Sequence, residues 1–211
     1  MDAVGTMPGT APEAGHSDMA KFGMKIFLAS EAMLFAGLIA GYMVLRAGSL
    51  EWPPAEAPTF GVSWPLKAFH LLMITNTVLL IASSFTYHWA EVAMKKGGTG
   101  LGWLLATVAL GTTFLGVQAY EWWHLAHSGL WMGSHGVYSS SFFVLTGFHG
   151  LHVLIGLLMI VWVLFKSLGS AVQVRGRQGG SMEMTFPEIT GLYWHFVDVV
   201  WIFLFLILYV V

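Results

Sequence analysis

Long apolar segments alternate with short polar breaks along the chain. Five of these segments approach or exceed the roughly 20 mostly apolar residues that a helix needs to cross the hydrocarbon core of a bilayer. They are Met24–Leu45, Leu66–Trp89, Leu101–Tyr120, Phe142–Phe165 and Ile189–Val211. The pattern predicts an all-α bundle of five transmembrane helices. Residues 1–20 form a polar N-terminal tail in this prediction, and residues 21–211 form a single transmembrane domain.

The composition agrees with a membrane protein and narrows the function classes. Hydrophobic residues make up 56% of the 211 positions and charged residues only 9%, whereas soluble domains carry about 25% charged residues. The net charge of −2 and the lack of a basic run argue against nucleic acid as a partner. The chain has no cysteine, which excludes thiolate metal sites, disulfides and a cysteine nucleophile within it.

Lysine and arginine are distributed unevenly between the two sides of the predicted bundle. The side of the N-terminus holds Lys21, Lys25, Lys95, Lys96, Lys166, Arg175 and Arg177, and the opposite side holds Arg46 and Lys67. Because positively charged loops stay in the cytoplasm, this asymmetry predicts a cytoplasmic N-terminus and an external C-terminus.

The first span contains one acidic residue, Glu31, on the order of 10 Å in from the cytoplasmic edge. A carboxylate at the centre of a bilayer costs at least about 2.5 kcal/mol, so Glu31 must be protonated, hydrogen-bonded or paired with a cation. Two interpretations stay open: a hydrogen bond between helices that stabilises the bundle, or a proton relay. The hydroxyl-rich segments Thr75–Thr77 and Ser83–Thr86 of span two predict further hydrogen bonds between helices.

Spans four and five bring four more polar side chains into apolar surroundings. His149 and His152 share a face of span four, and His195 and Asp198 share a face of span five. Imidazoles bind iron, copper and zinc, so a metal or haem site is one interpretation. The depths along the two helices match best for His152 and Asp198, which favours a polar network that ties these spans together. Gly147, Gly150 and Gly156 predict close approach of a neighbouring helix.

No pattern in the sequence indicates catalysis by this chain itself. It has no nucleophile turn, no phosphate loop and no pair of carboxylates at catalytic spacing. A zinc site from His124, His127 and His135 in the outer loop is a weaker interpretation. Two rival functions stay open: a membrane b-type cytochrome or metal enzyme that uses His149, His152 and His195, and a free-standing proton transporter.

Several blocks of sequence, taken together, resemble subunit III of the haem–copper respiratory oxidases, the cytochrome c oxidase subunit III family. They occur in family order and span nearly all of residues 21–211. The blocks are Phe27–Phe35, Asn76–Ser84, Gly116–Trp122, Phe143–Val153, and Glu188 with Tyr193–Trp201. The chain lacks the first two spans of the seven-helix form and resembles the short, five-helix bacterial form. Phe196–Val200 is more similar to the cytochrome c branch than to the quinol branch.

The resemblance implies an accessory subunit of a proton-pumping terminal oxidase in the bacterial plasma membrane. It implies direct packing against subunit I, partnership with subunit II and other subunits, bound phospholipid, and support of proton uptake. Haem and copper are then expected in the partner subunits, with no metal and no catalytic residue in this chain. By position, Glu31, His149, His152, Glu188, His195 and Asp198 match the family's polar motif residues, and Lys166 matches a basic residue near bound lipids.

Overall fold

The structure is a computed structural model that describes residues 13–52, 54, 66–174 and 184–210. These residues form five α-helices, the last of which continues into one π-helical turn. The helices are α1 (Glu13–Gly48), α2 (Leu66–Lys95), α3 (Leu101–His127), α4 (Gly136–Val174) and α5 (Thr185–Phe205), and the π-helical turn is Leu206–Val210. All five α-helices are long and apolar enough to cross a membrane, which confirms the predicted fold class.

Several helices extend beyond the apolar segments that predicted them. α1 begins at Glu13, inside the segment predicted as a polar tail, and α4 ends at Val174. Apolar runs indicate only the part of a helix that lies in hydrocarbon, whereas the backbone hydrogen bonds continue past that boundary. Arg175, Arg177 and Val211, on which parts of the sequence predictions fall, lie outside the described residues.

α5 is the central helix of the bundle. Each of α2, α3 and α4 packs against the next helix in the chain, and α5 also packs against α1 and α2. Half of the apolar window of α5 is buried, compared with 11% for α1. The residues of α5 therefore contact three other helices, while α1 lies at the margin of the bundle.

Small residues allow α4 to approach large aromatic rings closely. A Cβ atom at Gly156 would lie 2.8 Å from Cε3 of Trp194, a distance that Cβ atoms do not adopt. At Gly147 a Cβ atom would lie 3.1 Å from the ring of Trp122, whereas at Gly150 it would meet nothing within 4 Å. The predicted close approach therefore occurs at Gly156 and Gly147, and Gly150 faces open space.

Hydroxyl groups of α2 bind the neighbouring helices, as the sequence predicts. The indole N–H groups of Trp194 and Trp201 on α5 donate to Ser83 Oγ at 3.0 Å and to Thr77 Oγ1 at 3.1 Å. Both indoles are fully buried. An indole N–H without a partner would be costly in apolar surroundings, so these contacts help to hold α5 against α2.

Candidate functional site

Glu31 on α1 and His152 on α4 form a contact between helices. His152 Nε2 lies 3.1 Å from Glu31 Oε2, and both side chains are largely buried. The ring of Phe35 packs edge-on against the imidazole, with 5.0 Å between the ring centroids. The contact joins the marginal helix α1 to the rest of the bundle, and it provides Glu31 with the partner that a carboxyl group in an apolar span requires.

The hydrogen bonds of His152 limit the protonation states of this pair. His152 Nδ1 lies 2.6 Å from the carbonyl oxygen of Phe148, which only accepts, so Nδ1 carries a proton. The contact at Nε2 then needs one further proton, which lies on the Glu31 carboxyl or on Nε2 itself. In both arrangements the pair is neutral overall, and a proton can pass between the two groups without a change in net charge.

Asp198 does not pair with His152, so that prediction is wrong. The hydroxyl of Ser84 on α2 donates to Asp198 Oδ2, and Asp198 Oδ1 is buried without a hydrogen-bond partner among the described residues. Matching depths along two helices takes no account of which face each helix turns to its neighbours. α4 and α5 are nevertheless linked at this level, because the Tyr193 hydroxyl donates to the carbonyl oxygen of His152 at 3.2 Å.

His195 completes a small network with Ser84 and Asp198. Its Nδ1 atom lies 2.9 Å from Ser84 Oγ. With the hydroxyl proton of Ser84 directed to Asp198, the Ser84 oxygen can accept a proton from Nδ1 of His195. The face of α5 that carries His195 and Asp198 thus binds α2 rather than α4. Ser84 links these two side chains.

His149 lies among aromatic rings and makes no polar contact with the described residues. It is fully buried, and neither ring nitrogen has a hydrogen-bond partner there. Trp201 stacks on the imidazole with 4.9 Å between ring centroids, and Phe114 meets it edge-on at 6.0 Å. His149 therefore forms no hydrogen bond with His152 or His195, although His149 and His152 are close in sequence.

Glu188 lies near the N-terminal end of α5, in a cluster of ion pairs. Its carboxylate contacts the Lys21 ammonium, and its Oε1 atom lies 3.1 Å from Lys95 Nζ. Lys95 also lies 2.6 Å from Glu91 Oε1. These pairs join α1, α2 and α5 at one end of the bundle.

Lys166, which carries an ammonium group, is exposed near the end of α4.

A buried polar cluster around Glu121 was not predicted from the sequence. Gln118 Nε2 donates to Glu121 Oε2 at 2.5 Å, and the Tyr209 hydroxyl donates to Glu121 Oε1 at 2.7 Å. Both Gln118 and Glu121 are buried. A signal for this cluster is present in the sequence, because the two residues continue the stripe of buried positions through Phe114 and Leu125 at helical spacing.

Metal binding gains no support from the arrangement of these side chains. Among the described residues, no three histidine, aspartate or glutamate side chains come together in a group that could hold a metal ion. The outer-loop histidines His124, His127 and His135 and the buried ones are included in that search. The polar side chains of the site bind one another across helix interfaces instead.

The fold and the site define a multi-pass membrane protein whose buried ionisable groups connect its helices. A family model described as cytochrome c oxidase subunit III matches residues 3–211. The chain is 40% identical over 200 residues to a cytochrome c oxidase subunit 3 from Synechocystis, covering 92% of this chain and 77% of that protein. It is 38% identical over 216 residues to a probable cytochrome c oxidase subunit 3 from Nocardia farcinica, covering 99% and 98%.

A cytochrome c oxidase subunit 3 from Bacillus subtilis is 34% identical over 209 residues, covering 97% of this chain and 92% of that protein. The chain belongs to the cytochrome c oxidase subunit III family. This confirms the resemblance that the sequence blocks indicated.

Proposed function

We propose that this chain is an accessory subunit, without a redox centre of its own, of a proton-pumping haem–copper terminal oxidase. In this proposal it lies in the bacterial plasma membrane with its N-terminus in the cytoplasm. It packs directly against subunit I, and haem and copper belong to the partner subunits I and II. Membership of the family and the names of the relatives support this assignment.

The observation on which the proposal chiefly rests is the use of polar side chains to hold helices together. Glu31 binds His152 between α1 and α4, and Asp198 binds Ser84 between α5 and α2. Such contacts stabilise a bundle in hydrocarbon, where packing and hydrogen bonds replace the hydrophobic effect as the driving force. A stable bundle is what a supporting subunit must present to its neighbour.

The pair of Glu31 and His152 is also the part of the chain best suited to influence proton uptake. It holds one exchangeable proton, and 17% of the Glu31 side chain is exposed at the margin of the bundle. The local electrostatic field at a neighbouring subunit packed near this margin would depend on which of the two groups carries that proton. The proposed role is to maintain the environment of the proton entrance of subunit I, not to conduct protons through this chain.

Lys166 is the proposed contact for a phospholipid headgroup. It is exposed near the end of α4. Its methylene chain can lie along apolar surface while its ammonium reaches a lipid phosphate at the interface. In the proposed orientation this end of α4 faces the cytoplasmic leaflet.

The assembled oxidase offers a direct test through two substitutions at the same position. Glu31→Gln keeps a donor for Nε2 of a neutral His152 but has no exchangeable acid proton, whereas Glu31→Ala removes the hydrogen bond as well. We expect Glu31→Gln to slow proton uptake and leave the turnover lifetime unchanged, and Glu31→Ala to reduce both. Ser30→Ala is the matched control, because Ser30 only donates to the Phe27 carbonyl of its own helix, at 2.7 Å.

Unchanged proton uptake and lifetime in both Glu31 variants would contradict any role beyond helix packing. Two measurements on the isolated chain test the rival functions. Stoichiometric haem or metal would favour the cytochrome or metal enzyme, and proton flux into liposomes that contain this chain alone would favour the transporter. We expect neither result.

A further inference from the structure

One face of α5 is exposed although α5 is the central helix of the bundle. We call this face the α5 stripe, and its residues are Leu192, His195, Val199 and Ile202. The three apolar members are between 37% and 50% exposed, and His195 is partly exposed. The members follow one another at intervals of three, four and three residues, which is the spacing of a seam between two packed helices.

The α5 stripe lies between α1 and α2. Glu188, one turn before Leu192 on the same face, contacts Lys21 of α1 on one side and Lys95 of α2 on the other. In the described part of the chain, both of these helices pack against α5 but scarcely against each other. The stripe is therefore the floor of a groove, and α1 and α2 are its two walls.

His195 is the polar member of this floor. Its Nδ1 atom lies 2.9 Å from Ser84 Oγ. Its Nε2 atom has no hydrogen-bond partner among the described residues and, unlike the ring nitrogens of His149, is not fully buried. A neutral imidazole that carries its proton on Nδ1 has an acceptor at Nε2. The groove thus presents one accessible hydrogen-bond acceptor on an otherwise apolar floor.

This acceptor lies at a depth that belongs to hydrocarbon. Because Lys95 contacts Glu188, positions along α2 and α5 can be counted from the same level. His195 follows Glu188 by seven residues, and the exposed His88 precedes Lys95 by seven, which places both imidazoles roughly 10 Å further into the membrane. Ionisable side chains in spanning helices face protein or a water-filled cavity rather than lipid tails. A surface that exposes two imidazoles at this depth is unsuited to contact with lipid tails.

The outward face of α4 has the opposite character. From Leu151 to Phe165, every exposed residue of this helix is apolar, and Leu158 is 60% exposed. Lipid tails can cover such a face without leaving a polar group unsatisfied. The α5 stripe, by contrast, needs a partner that supplies both apolar side chains and a hydrogen-bond donor at a fixed depth.

A second copy of this chain does not meet that need. A two-fold dimer through the stripe, with its axis along the membrane normal, would place two copies of His195 at the same depth. Two Nε2 acceptors would then face each other without a donor. The complementary occupant is a different spanning helix, apolar except for one donor group.

We propose that the α5 stripe is the surface that binds a transmembrane helix of subunit I, and that this helix presents a hydrogen-bond donor to Nε2 of His195. The inference rests on the proposed function, which names subunit I as the partner. Packing of the partner helix between α1 and α2 buries the apolar members of the stripe, and the donor fixes the depth at which the two helices meet.

The test uses the assembled oxidase, with the photoreactive residue benzoylphenylalanine introduced at one position at a time. It replaces Val199 in the stripe or, as the matched control, Leu158 on the outward face of α4; the two positions are 50% and 60% exposed. After irradiation, the attached peptides and lipids are identified by mass spectrometry. We expect cross-links to a spanning segment of subunit I from position 199 and lipid adducts from position 158.

A pair of tryptophan substitutions at the same positions measures the strength of docking. A large ring blocks the close approach of a helix but is tolerated by lipid. Val199→Trp should lower the ratio of bound to free chain in detergent by roughly tenfold or more, as for an overpacked interface, and Leu158→Trp should leave it unchanged. Matching thermal denaturation of the two isolated variants shows that the difference does not arise from misfolding.

His195→Asn tests the hydrogen bond separately from the packing. The shorter amide keeps a polar group at the position of Nδ1, within reach of Ser84, but has no counterpart of Nε2. We expect roughly a fivefold loss in the ratio of bound to free chain, as for one hydrogen bond. An unchanged ratio would overturn the proposed donor from subunit I.

The cross-links decide whether the stripe is the docking surface. Any result without a cross-link to subunit I from position 199 would overturn the proposal, whether lipid, a second copy or another subunit is found there. If subunit I is found at position 158 instead, the proposed function stands and the assignment of the face is wrong. If the unmodified chain does not co-purify with a haem-bearing subunit, the proposed function fails, and the docking proposal fails with it.

Discussion

Glu31 Oε2 and His152 Nε2 lie 3.1 Å apart and connect the first helix of the bundle to the fourth. Because His152 Nδ1 is committed to the Phe148 carbonyl, the contact is completed by a single shared proton. α1 has few other buried residues. The position of α1 therefore depends on few polar contacts, among them this pair and the ion pair between Lys21 and Glu188.

This dependence is measurable with a double-mutant cycle. Glu31→Leu or His152→Leu alone leaves a buried polar partner unsatisfied and should lower the free energy of unfolding by about 1–3 kcal/mol. The double substitution should cost less than the sum, with a coupling of roughly 0.6–1.7 kcal/mol, as for other hydrogen bonds between membrane helices. The measurement is unfolding of the purified full-length chain in mixed micelles. Strictly additive effects would contradict a direct interaction.

Ser84 is expected to matter more than its small, half-buried side chain suggests. Ser84→Ala removes the donor to Asp198 and the acceptor for His195 together. Because Asp198 Oδ1 already lacks a partner among the described residues, the carboxyl group would then have none there. We expect a loss of about 1–3 kcal/mol in the free energy of unfolding. The control Thr112→Ala removes a hydroxyl that donates to its own helix at 2.7 Å. An equal loss in the free energy of unfolding for this control would contradict the explanation that Ser84 matters through its contacts with Asp198 and His195.

Two glycines of α4 provide a matched pair for testing close packing. An alanine Cβ at Gly156 would lie 2.8 Å from Trp194, whereas at Gly150 it would meet nothing within 4 Å. Overpacking of a tight interface costs about 1–3 kcal/mol, so Gly156→Ala should reduce the yield of folded chain and Gly150→Ala should not. Size-exclusion chromatography and thermal denaturation of the two variants provide the comparison. Equal behaviour would show that α4 and α5 are packed less tightly than the distance indicates.

The proposed orientation can be checked with single cysteines, because the chain has none. Lys96→Cys places a thiol at an exposed position just after α2, and Met132→Cys places one at an exposed position between α3 and α4. A membrane-impermeant thiol reagent added to intact cells should modify the cysteine at 132 and not the one at 96. Inverted vesicles should show the reverse. Modification at 96 in intact cells would overturn the orientation.

The number and type of helices could be predicted because they depend on local properties of the sequence. A run of about 20 apolar residues needs a membrane whatever its neighbours are, and Glu31 needs a partner whichever residue supplies it. Likewise, the hydroxyl groups of α2 were expected to bind other helices, and Ser83, Thr77 and Ser84 do so.

The partners themselves could not be predicted, because they depend on how the helices are arranged. His152 was expected to meet Asp198 on the adjacent span, but α1 supplies its partner instead. Glu121 follows the predicted span, which ends at Tyr120, whereas α3 continues to His127 and buries Glu121. The spacing of Gln118 and Glu121 shows that they share a face, but only the packing of α3 shows that this face is buried.

Two hydroxyl groups of α2 donate within α2 and also accept from α5, and this has a consequence for the order of assembly. Thr77 donates to the Met73 carbonyl at 2.9 Å and Ser83 to the Leu80 carbonyl at 2.6 Å, so each hydroxyl proton is satisfied within α2 itself. Their oxygen atoms then accept the indole protons of Trp201 and Trp194. These two hydroxyl groups therefore need no partner helix when α2 enters the bilayer during synthesis. α5, which the ribosome delivers last of the five, finds acceptors already in place for its two tryptophans.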